Sequence, residues 1–417
     1  MNIHKKLDIC SENCLRIINI LDQQGSITRI IGGAVRDSLI GIKFYDIDLA
    51  TSLEPKFVIK FLSKNSIRVI DTGAEFGTVT ALIGKEEFQI TTLREDITCD
   101  GRHAKVKFTT SFQQDAERRD FTINALSYCP KQNIIFDYFN GINDLYEKKV
   151  VFIGDANQRI QEDYLRILRF LRFSCKYAEE IDQKSLKSCI ENRFGLSKLS
   201  KTRLKDEFNV FLDIKSVKMI EILSIAAKQD LLNQIFPGLF NINTDILQKT
   251  LDWSQKLNVN ICQNSFYALI FFNIKNISLS YLHELSFSKK ESRQIISLIE
   301  IIMKVMKKNL SQEELKFYMR KSFLQNIKLY YQKLLIILSI EESYIDFLVQ
   351  EQDFLNSLNA ANFTFPITGY DLSNMGFSGK ELGMIFNFLK EEWIKSDFRS
   401  TKEEILESVT QFQTNNK

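Results

Sequence analysis

Apolar positions recur along this 417-residue chain at two different spacings. In residues 7–21 they recur every three or four positions, which predicts an amphipathic helix that ends near Gly25. Between residues 29 and 136 the spacing shortens to strand-like runs that are broken by glycines. These runs are residues 66–70, 78–83, 88–92, 105–109 and 133–136. The pattern predicts a mixed sheet with helices in this part of the chain.

Beyond about residue 150 the helical spacing returns and continues nearly to the end of the sequence. The predicted helices are residues 159–177, 204–212, 217–228, 290–307, 327–338 and 380–394. Strand-like runs do not recur there, and no repeat of fixed period is present. The chain is therefore predicted to be an α+β protein, with a sheet-containing head followed by an all-α remainder.

Composition narrows the class of protein without identifying it. A chain of 417 residues exceeds one compact core, so two to four domains are expected. Hydrophobic residues at 44% and charged residues at 26% are ordinary for a globular protein. The net charge of +3 neither requires nor excludes a nucleic-acid partner, so any basic surface has to be local.

Cysteine usage and the N-terminus predict a cytoplasmic protein. The seven cysteines are an odd number and are scattered singly, which suits a reducing compartment. The N-terminal residues lack the apolar core of a signal peptide, and no apolar run approaches the roughly 20 residues that span a bilayer. Only three histidines are present, which argues against zinc sites.

Residues 29–51 read RIIGGAVRDSLIGIKFYDIDLAT and contain the densest candidate chemistry. Gly32 and Gly33 follow a short strand and let the backbone approach a ligand closely. Asp46 and Asp48 occupy positions i and i+2 of a second predicted strand, so their carboxylates share one face. Glycines, a nearby arginine and paired carboxylates suit a metal–triphosphate. Taken alone, the glycine pair also fits a tight turn, and the two aspartates fit a solvated strand edge.

A second block, residues 115–126, reads DAERRDFTINAL. We expect Arg119, Asp120 and Asn124 to lie at the start of an apolar helix, where anions bind. Arginine makes bidentate contacts to phosphate oxygens, and an aspartate can accept hydrogen bonds from ribose hydroxyls. The alternative is a solvated helix start that Asp120 caps.

In the third block Asp163, Arg166 and Arg169 recur every three residues, on one flank of a predicted helix. One interpretation is an ion pair on a solvated face. The other is base recognition, because cytosine and adenine each place an amine beside a ring-nitrogen acceptor. Asp163 can accept from the amine while Arg166 donates to the nitrogen. Uracil and guanine would mismatch, at about 1–3 kcal/mol per unpaired group.

The three blocks together resemble the polymerase-β-like nucleotidyltransferases, in the variant shared by class II tRNA CCA-adding enzymes and bacterial poly(A) polymerases. The resemblance rests on GG-x-V-R-D…D-x-D, RRDFTINAL and EDxxRxxRF, and covers residues 25–210. It implies a nucleotidyltransferase head at 1–149 and an α-helical neck with a nucleotide-selecting helix at 150–215. It also implies an α-helical body and tail that bind tRNA at 216–417.

The resemblance also implies roles for individual residues and names the partners. Asp46 and Asp48 would be catalytic and would bind two Mg²⁺ ions. The implied nucleotide-binding residues are Gly32, Gly33, Arg36, Asp37, Arg119, Asp120, Asn124, Asp163, Arg166 and Arg169. The expected reaction adds C, C and A from CTP and ATP to the 3′ end of tRNA, whose acceptor arm the helical remainder would clamp.

Several further segments resemble the same family. Residues 93–104 resemble its flexible loop in the DGRHA form of CCA-adding members, residues 137–145 its hinge, residues 199–203 a neck element, and residues 365–383 a bacterial tail. The alternative for residues 93–104 is an ordinary surface loop, and the alternative for residues 365–383 is simple helix capping.

One departure from the family concerns the strand before that loop, where Gln89 replaces the glutamate that serves as a third carboxylate. Two alternatives to CCA addition stay open. The first is an A-adding enzyme or a poly(A) polymerase on the same scaffold. The second is a catalytically silent tRNA-binding relative.

Overall fold

The computed structural model describes residues 2–98, 105–307, 310–359, 364–410 and 412. The chain forms two compact units, Met1–Phe240 and Asn241–Lys417. Within the described part of the chain, none of the helices combines the length and the apolar character needed to cross a membrane.

The first unit contains a mixed sheet. Its strands are β1 (Asn2–His4), β2 (Thr28–Ile31), β3 (Ile47–Thr51), β4 (Arg68–Asp71), β5 (Thr78–Ile83), β6 (Glu86–Thr92), β9 (Ser127–Cys129) and β10 (Ile134–Phe136), while β7 (Arg94–Thr98) and β8 (Lys105–Phe108) form a separate hairpin. The spatial order is β1-β10-β9-β2-β3-β6-β5-β4. Strands β3 and β6 run parallel, and the other neighbours are antiparallel.

The helices of the first unit surround and extend this sheet. They are α1 (Glu12–Asp22), α2 (Gly33–Leu39), α3 (Pro55–Lys64), α4 (Phe112–Glu117), α5 (Gly141–Tyr146), α6 (Ala156–Glu162), α7 (Leu165–Tyr177), α8 (Gln183–Glu191), α9 (Lys201–Leu212), α10 (Val217–Lys228) and α11 (Leu231–Ile235). Helix α1 begins later than its apolar pattern predicts, because Ser11 caps it by accepting from the Cys14 N–H at 3.1 Å.

In its described residues, the second unit is helical. Its helices are α12 (Thr244–Lys256), α13 (Gln263–Phe271), α14 (Leu279–Glu284), α15 (Lys289–Met306), α16 (Gln312–Gln325), α17 (Ile327–Ile340), α18 (Ile345–Asn359), α19 (Gly369–Asn374), α20 (Gly379–Lys395) and α21 (Lys402–Glu407). The predicted α+β architecture, a mixed-sheet head and a largely helical remainder, is confirmed.

Side chains along β3 alternate between the two faces of the sheet, and both faces are buried towards the Thr51 end of the strand. Leu49 is fully buried and pairs with Ile90 of β6. Asp48 points to the opposite face, where it is flanked by Ile31 of β2 and Gln89 of β6. The register therefore presents Asp48 on a surface whose reverse side is core.

The helix predicted over residues 159–177 is wrong in one respect, because it is interrupted. Helix α6 ends at Glu162, and Asp163 has an extended backbone with φ −152° and ψ 106°. The Tyr164 side chain follows, and it packs so closely on Gly195 that a Cβ there would lie 1.9 Å from the ring. This long-range contact fixes the break. Asp163 therefore does not share a helix flank with Arg166 and Arg169.

The apolar helix predicted after Arg119 is also wrong. Residues Thr122–Asn124 form one 3₁₀ turn that leads directly into β9. Phe121 instead forms an antiparallel bridge with Phe152, and the Thr122 N–H donates to the Val151 carbonyl at 3.1 Å. Pairing with a distant segment thus replaces local helical bonds, so the arginines follow the end of α4 rather than precede a helix.

Gly141 allows the first turn of α5 to pack against this segment. A Cβ at Gly141 would lie 2.2 Å from the Thr122 carbonyl oxygen, although its φ is outside the left-handed region. We therefore expect Gly141→Ala to lower the free energy of unfolding by at least about 2 kcal/mol through overpacking. Urea unfolding followed by circular dichroism measures this change.

Gly383→Ala is the matched control for that experiment. Gly383 lies inside α20, and a Cβ there meets nothing within 4 Å. The control should keep its stability or gain up to about 1 kcal/mol. If the two variants unfold at the same urea concentration, the close packing of Gly141 is refuted.

Candidate active site

Two carboxylates stand at the start of β3. Asp46 immediately precedes the strand and is exposed, whereas Asp48 lies within it and is half-buried. Burial raises the pKa of Asp48, the charge of Asp46 raises that pKa further, and Arg119 opposes the shift. Two like charges thus share one face, and a bound cation would relieve their repulsion.

Gln89 lies next to Asp48 in the parallel ladder and is exposed on the same face. Its amide can offer a neutral oxygen there but no negative charge. Among the described residues, no group of three or more Asp, Glu, His or Cys side chains is positioned to hold a metal ion. The site is therefore a two-carboxylate site.

The glycine pair lies at the N-terminus of α2, which follows β2. Gly32 has φ +67° and forms the N-cap, a conformation that favours glycine. A Cβ on Gly32 would lie 3.4 Å from the Arg119 Nη1 atom, and a Cβ on Gly33 would lie 3.7 Å from Arg36 Nη2. The glycine backbone is thus bordered by two guanidinium groups.

Arg36 and Asp37 are buried and bonded internally. Arg36 Nε donates to the Asp37 carboxylate at 2.8 Å, and Arg36 Nη1 donates to the Asn124 side-chain oxygen. The Tyr177 hydroxyl of α7 donates to Asp37 at 2.8 Å, and the Arg36 guanidinium lies 4.2 Å from the Tyr177 ring centre. These contacts join the glycine turn to the helical end of the unit.

Asp120 continues this buried polar chain. It accepts from the Asn124 side chain and the Phe121 N–H, both at 2.9 Å, and from Arg169 Nε at 2.7 Å. Burial alone would raise the pKa of Asp120, but the charge of Arg169 and these hydrogen bonds outweigh it and lower the pKa. Asp120 therefore connects the segment after α4 to helix α7.

Asp115 is a second buried acceptor, whose role the sequence analysis missed. It accepts from Arg118 Nη2 at 2.7 Å and from Arg119 Nη2 at 3.0 Å. Arg119 Nη1 also donates to the Asn124 carbonyl at 3.0 Å. The spacing of Asp115 from the two arginines, i+3 and i+4 along a helix, is the sequence signal that indicates such pairs.

Asp163 and Arg166 do not pair with each other. Asp163 accepts from the Leu165 N–H at 3.1 Å and from Arg203 Nη2 at 2.9 Å. Its partner Arg203 lies in α9, whose N-cap is Ser200. Arg203 was missed as a partner, because α9 is distant in sequence from Asp163.

Arg166 is held by acceptors around it. Its Nη1 donates to Glu162 at 2.7 Å and to the Arg159 carbonyl at 2.8 Å, and its Nη2 donates to the Arg118 carbonyl at 3.0 Å. Within the described part of the chain these are three of the five N–H donors of the guanidinium, so two are available to a ligand. Glu162 is the residue that sequence analysis overlooked here, although its i+4 spacing from Arg166 was visible.

The whole site lies in the first unit. The hydrogen bonds described above connect its parts. The segment 115–124 touches the glycine turn through Arg119 and Asn124, and it touches α7 through Asp120 and the Arg118 carbonyl. The predicted DGRHA motif falls on residues 100–104, outside the described residues. Such an arrangement suits a substrate with a polyanionic end and a polar aromatic end.

Comparison with known proteins agrees with this geometry. Residues 28–151 match the family described as the poly A polymerase head domain. The human protein named CCA tRNA nucleotidyltransferase 1, mitochondrial, is 34% identical over 395 residues, which cover 91% of this chain and 86% of that protein. The chain belongs to the CCA tRNA nucleotidyltransferase family. It is an enzyme of that family, of the polymerase-β type, a type that generally uses divalent metal ions.

Bacterial relatives and solved structures extend the likeness. A CCA-adding enzyme of Lactobacillus delbrueckii subsp. bulgaricus is 37% identical over 194 residues, 46% of this chain and 48% of that protein. The Bacillus stearothermophilus CCA-adding enzyme in complex with CTP has a TM-score of 0.72 at 20% identity, over 96% of this chain and 98% of that one. The Thermotoga maritima enzyme complexed with tRNA has a TM-score of 0.67 at 19% identity, over 97% of each chain. At these identities the structures support the fold alone.

The charge on Asp120 should make this member of the family sensitive to acid. Because the folded-state pKa of Asp120 lies below the ordinary value of 3.8, its ionisation stabilises the fold above that pH. The contribution is lost as the pH falls through the folded-state pKa. We expect Asp120→Asn to cost about 1.5–3 kcal/mol at pH 7 and to flatten the loss of stability between about pH 5 and pH 3.

Urea unfolding at several pH values measures both effects. Asp252→Asn, which changes an exposed aspartate of α12, is the control and should follow the parent curve. A pH profile of Asp120→Asn that is parallel to the parent's would contradict the role assigned to the Asp120 charge.

Proposed function

We propose that this enzyme adds C, C and A, without a nucleic-acid template, to the 3′ end of tRNA from CTP and ATP and releases pyrophosphate. One observation carries the proposal. Segment 115–124 joins the glycine turn beside Asp48 to the residues around Asp163 and Arg166 through named hydrogen bonds. The triphosphate and the base of one nucleotide can therefore be held by one connected set of side chains. The full-length relatives named for CCA addition support the same activity.

Asp46 and Asp48 fit a magnesium site, which we propose as the metal of this enzyme. Carboxylate oxygens are the ligands that Mg²⁺ prefers, and it commonly takes one or two of them together with substrate phosphates and water. Burial is the main cause of the raised pKa of Asp48 and the charge of Asp46 adds to it, so a bound cation would stabilise the ionised carboxylates. When bound, the ions would lower the pKa of the primer 3′-hydroxyl and neutralise the pyrophosphate.

For the triphosphate we propose Gly32, Gly33 and Arg119 as the contacting residues. The Gly32 N–H donates to the Leu126 carbonyl at 3.0 Å, whereas Gly33 begins α2, where the first N–H groups of a helix have no partner within the helix, and Arg119 borders this turn. Arg36 and Asp37 are buried and bonded to each other, so we assign them to positioning this turn. We likewise assign Asp120 and Asn124 to positioning, at the place where the ribose of the nucleotide would bind. Arg169 holds Asp120 there.

For the base we propose Asp163 and Arg166, each oriented by a different partner. Arg203 and the Leu165 N–H hold Asp163, whose remaining lone pairs can accept from the exocyclic amine of C or A. Glu162 fixes Arg166, whose remaining N–H groups can donate to the ring nitrogen. Base selection then depends on two side chains that approach the nucleotide from separate elements.

The helical remainder is proposed to bind the tRNA acceptor arm through backbone phosphates, by shape more than by sequence. The domain limits 1–149, 150–215 and 216–417 also stay proposals. A cytoplasmic location stays a prediction, and the human and mouse relatives carry the word mitochondrial in their names.

Incorporation into tRNA that lacks its CCA end tests the function. With Mg²⁺ and CTP alone we expect two C additions, and with CTP and ATP together we expect a complete CCA end. UTP and GTP should be poor substrates. Asp48→Asn should lower the rate at least about 100-fold while tRNA binding is retained, because the metal site loses a carboxylate.

Asp252→Asn is the control for this assay and should add nucleotides at the parent rate. If the enzyme incorporates ATP but not CTP, its activity is A addition or polyadenylation and not CCA addition. Tight tRNA binding without any incorporation would indicate the silent relative, and Gln89→Glu should then create activity.

A further inference from the structure

A small pocket in the second unit is lined by lysines from three different helices. It has a volume of about 110 Å³ and lies between α15, α16 and α17. Lys304, Lys321 and Lys333 each contribute a side chain from one of these helices. The one carboxylate in its lining is that of Glu300, an exposed residue. The pocket therefore concentrates positive charge.

Lys333 is the most unusual member of this cluster. It is only 5% exposed, within an apolar stretch of α17. The preceding residue, Gln332, is similarly buried, but its side chain makes three hydrogen bonds. It accepts from the Cys262 N–H at 2.9 Å and the Ser265 hydroxyl at 2.7 Å, and it donates to the Asn260 carbonyl at 2.9 Å.

The ammonium group of Lys333, by contrast, has neither a hydrogen bond nor an ion pair with any residue in the part of the chain that the structure describes. Burying an ammonium group without a partner is costly. Burial lowers the pKa of Lys333 to about 8, Glu300 opposes this shift, and Lys321 and Lys304 add to it. An anion in the pocket would remove the penalty on Lys333 and would offset its repulsion by Lys304 and Lys321.

The other two lysines are held at the rim by polar partners. Lys304 donates to the Tyr318 hydroxyl, and Lys321 pairs with Glu391 of α20. Lys321 also lines a wider neighbouring cavity of about 360 Å³ between α16 and α20, to which Lys390 contributes. The two cavities share Lys321 and Gln325 in their linings.

We propose that this pocket binds one phosphate-type oxyanion, which pairs with Lys333 and is contacted by Lys304 and Lys321. Its volume is below the roughly 300 Å³ at which pockets for whole small molecules begin, so it suits a single phosphate group. Inorganic phosphate and a backbone phosphate of RNA present the same oxygens. The pocket lies wholly in the second unit, and its assignment does not rest on the proposed activity.

Chemical labelling of the full-length protein tests this site. An amine-reactive ester is applied at pH 7.5, and the acylation of each lysine is followed by mass spectrometry. Inorganic phosphate, compared with chloride at equal ionic strength, should slow acylation of Lys333 at least about fivefold by occupying the pocket. Lys249, an exposed lysine of α12, is the internal control and should be unaffected. A second arm replaces phosphate with tRNA in phosphate-free buffer.

Protection by inorganic phosphate supports a site for the free anion, and protection by tRNA alone supports a site for a backbone phosphate. Absence of protection in both arms overturns the proposal, and so does equal protection of Lys249, which would reveal general screening.

A variant provides a second measurement that does not depend on labelling. Lys333→Met keeps the length of the side chain and removes the charge, so it should be at least as stable as the parent in chloride. Phosphate should raise the melting temperature of the parent and of Lys249→Met, and the rise should be smaller or absent in Lys333→Met. An undiminished rise in Lys333→Met would contradict the site.

Discussion

Burial of charge in the segment 115–124 is the constraint on which the first unit depends. This segment runs from the end of α4 through residues 118–121 into a 3₁₀ turn, and Asp115 and Asp120 are buried within it. Each carboxylate is satisfied by arginine, Asp115 by its own segment and Asp120 by Arg169 of α7. Because an unpaired buried charge costs several kcal/mol, of the order of 3–5 when one partner is lost, these contacts fix the segment against both the sheet and the helices.

The same buried charges also position the candidate functional residues. Gly32 borders Arg119, and Asp48 lies beside the glycine turn in the register of β2 and β3. At the other end, the Arg118 carbonyl and Glu162 hold Arg166. The carboxylates and the proposed base-reading pair, Asp163 and Arg166, therefore belong to one connected framework, which aromatic contacts reinforce. Phe121 lies 4.9 Å from Phe152 and 5.3 Å from Phe173 between ring centres.

Local pattern was sufficient for most strands of the sheet, but it missed β1 and β9 and the turns around the site. Strand β5 coincides with its predicted run, and α10 with its predicted helix, because alternation and helical spacing are local properties. The break at Asp163 depends on Gly195, and the 3₁₀ turn after Phe121 depends on Phe152. Both partners lie about 30 residues away, so no window of local sequence contains them.

The candidate residues were visible in the sequence, but their partners were not. Motif spacing identified Asp163 and Arg166, whereas Arg203 emerged only from three-dimensional contacts, and Glu162 was overlooked although its spacing from Arg166 indicates a pair. Lys333 was overlooked for a different reason. It lies in an apolar helix where a single lysine reads as an ordinary solvated side chain, and only its burial without a partner distinguishes it.

The central claim is that one framework holds the triphosphate beside Asp48 and the base beside Asp163 and Arg166. A crystal structure of the enzyme with CTP and Mg²⁺ tests it most directly. We expect the cytosine amine within hydrogen-bond distance, about 3 Å, of the Asp163 carboxylate, with its ring nitrogen at Arg166 and its phosphates at the glycine turn. A cytosine bound away from both side chains, with the triphosphate still at the turn, would contradict the account.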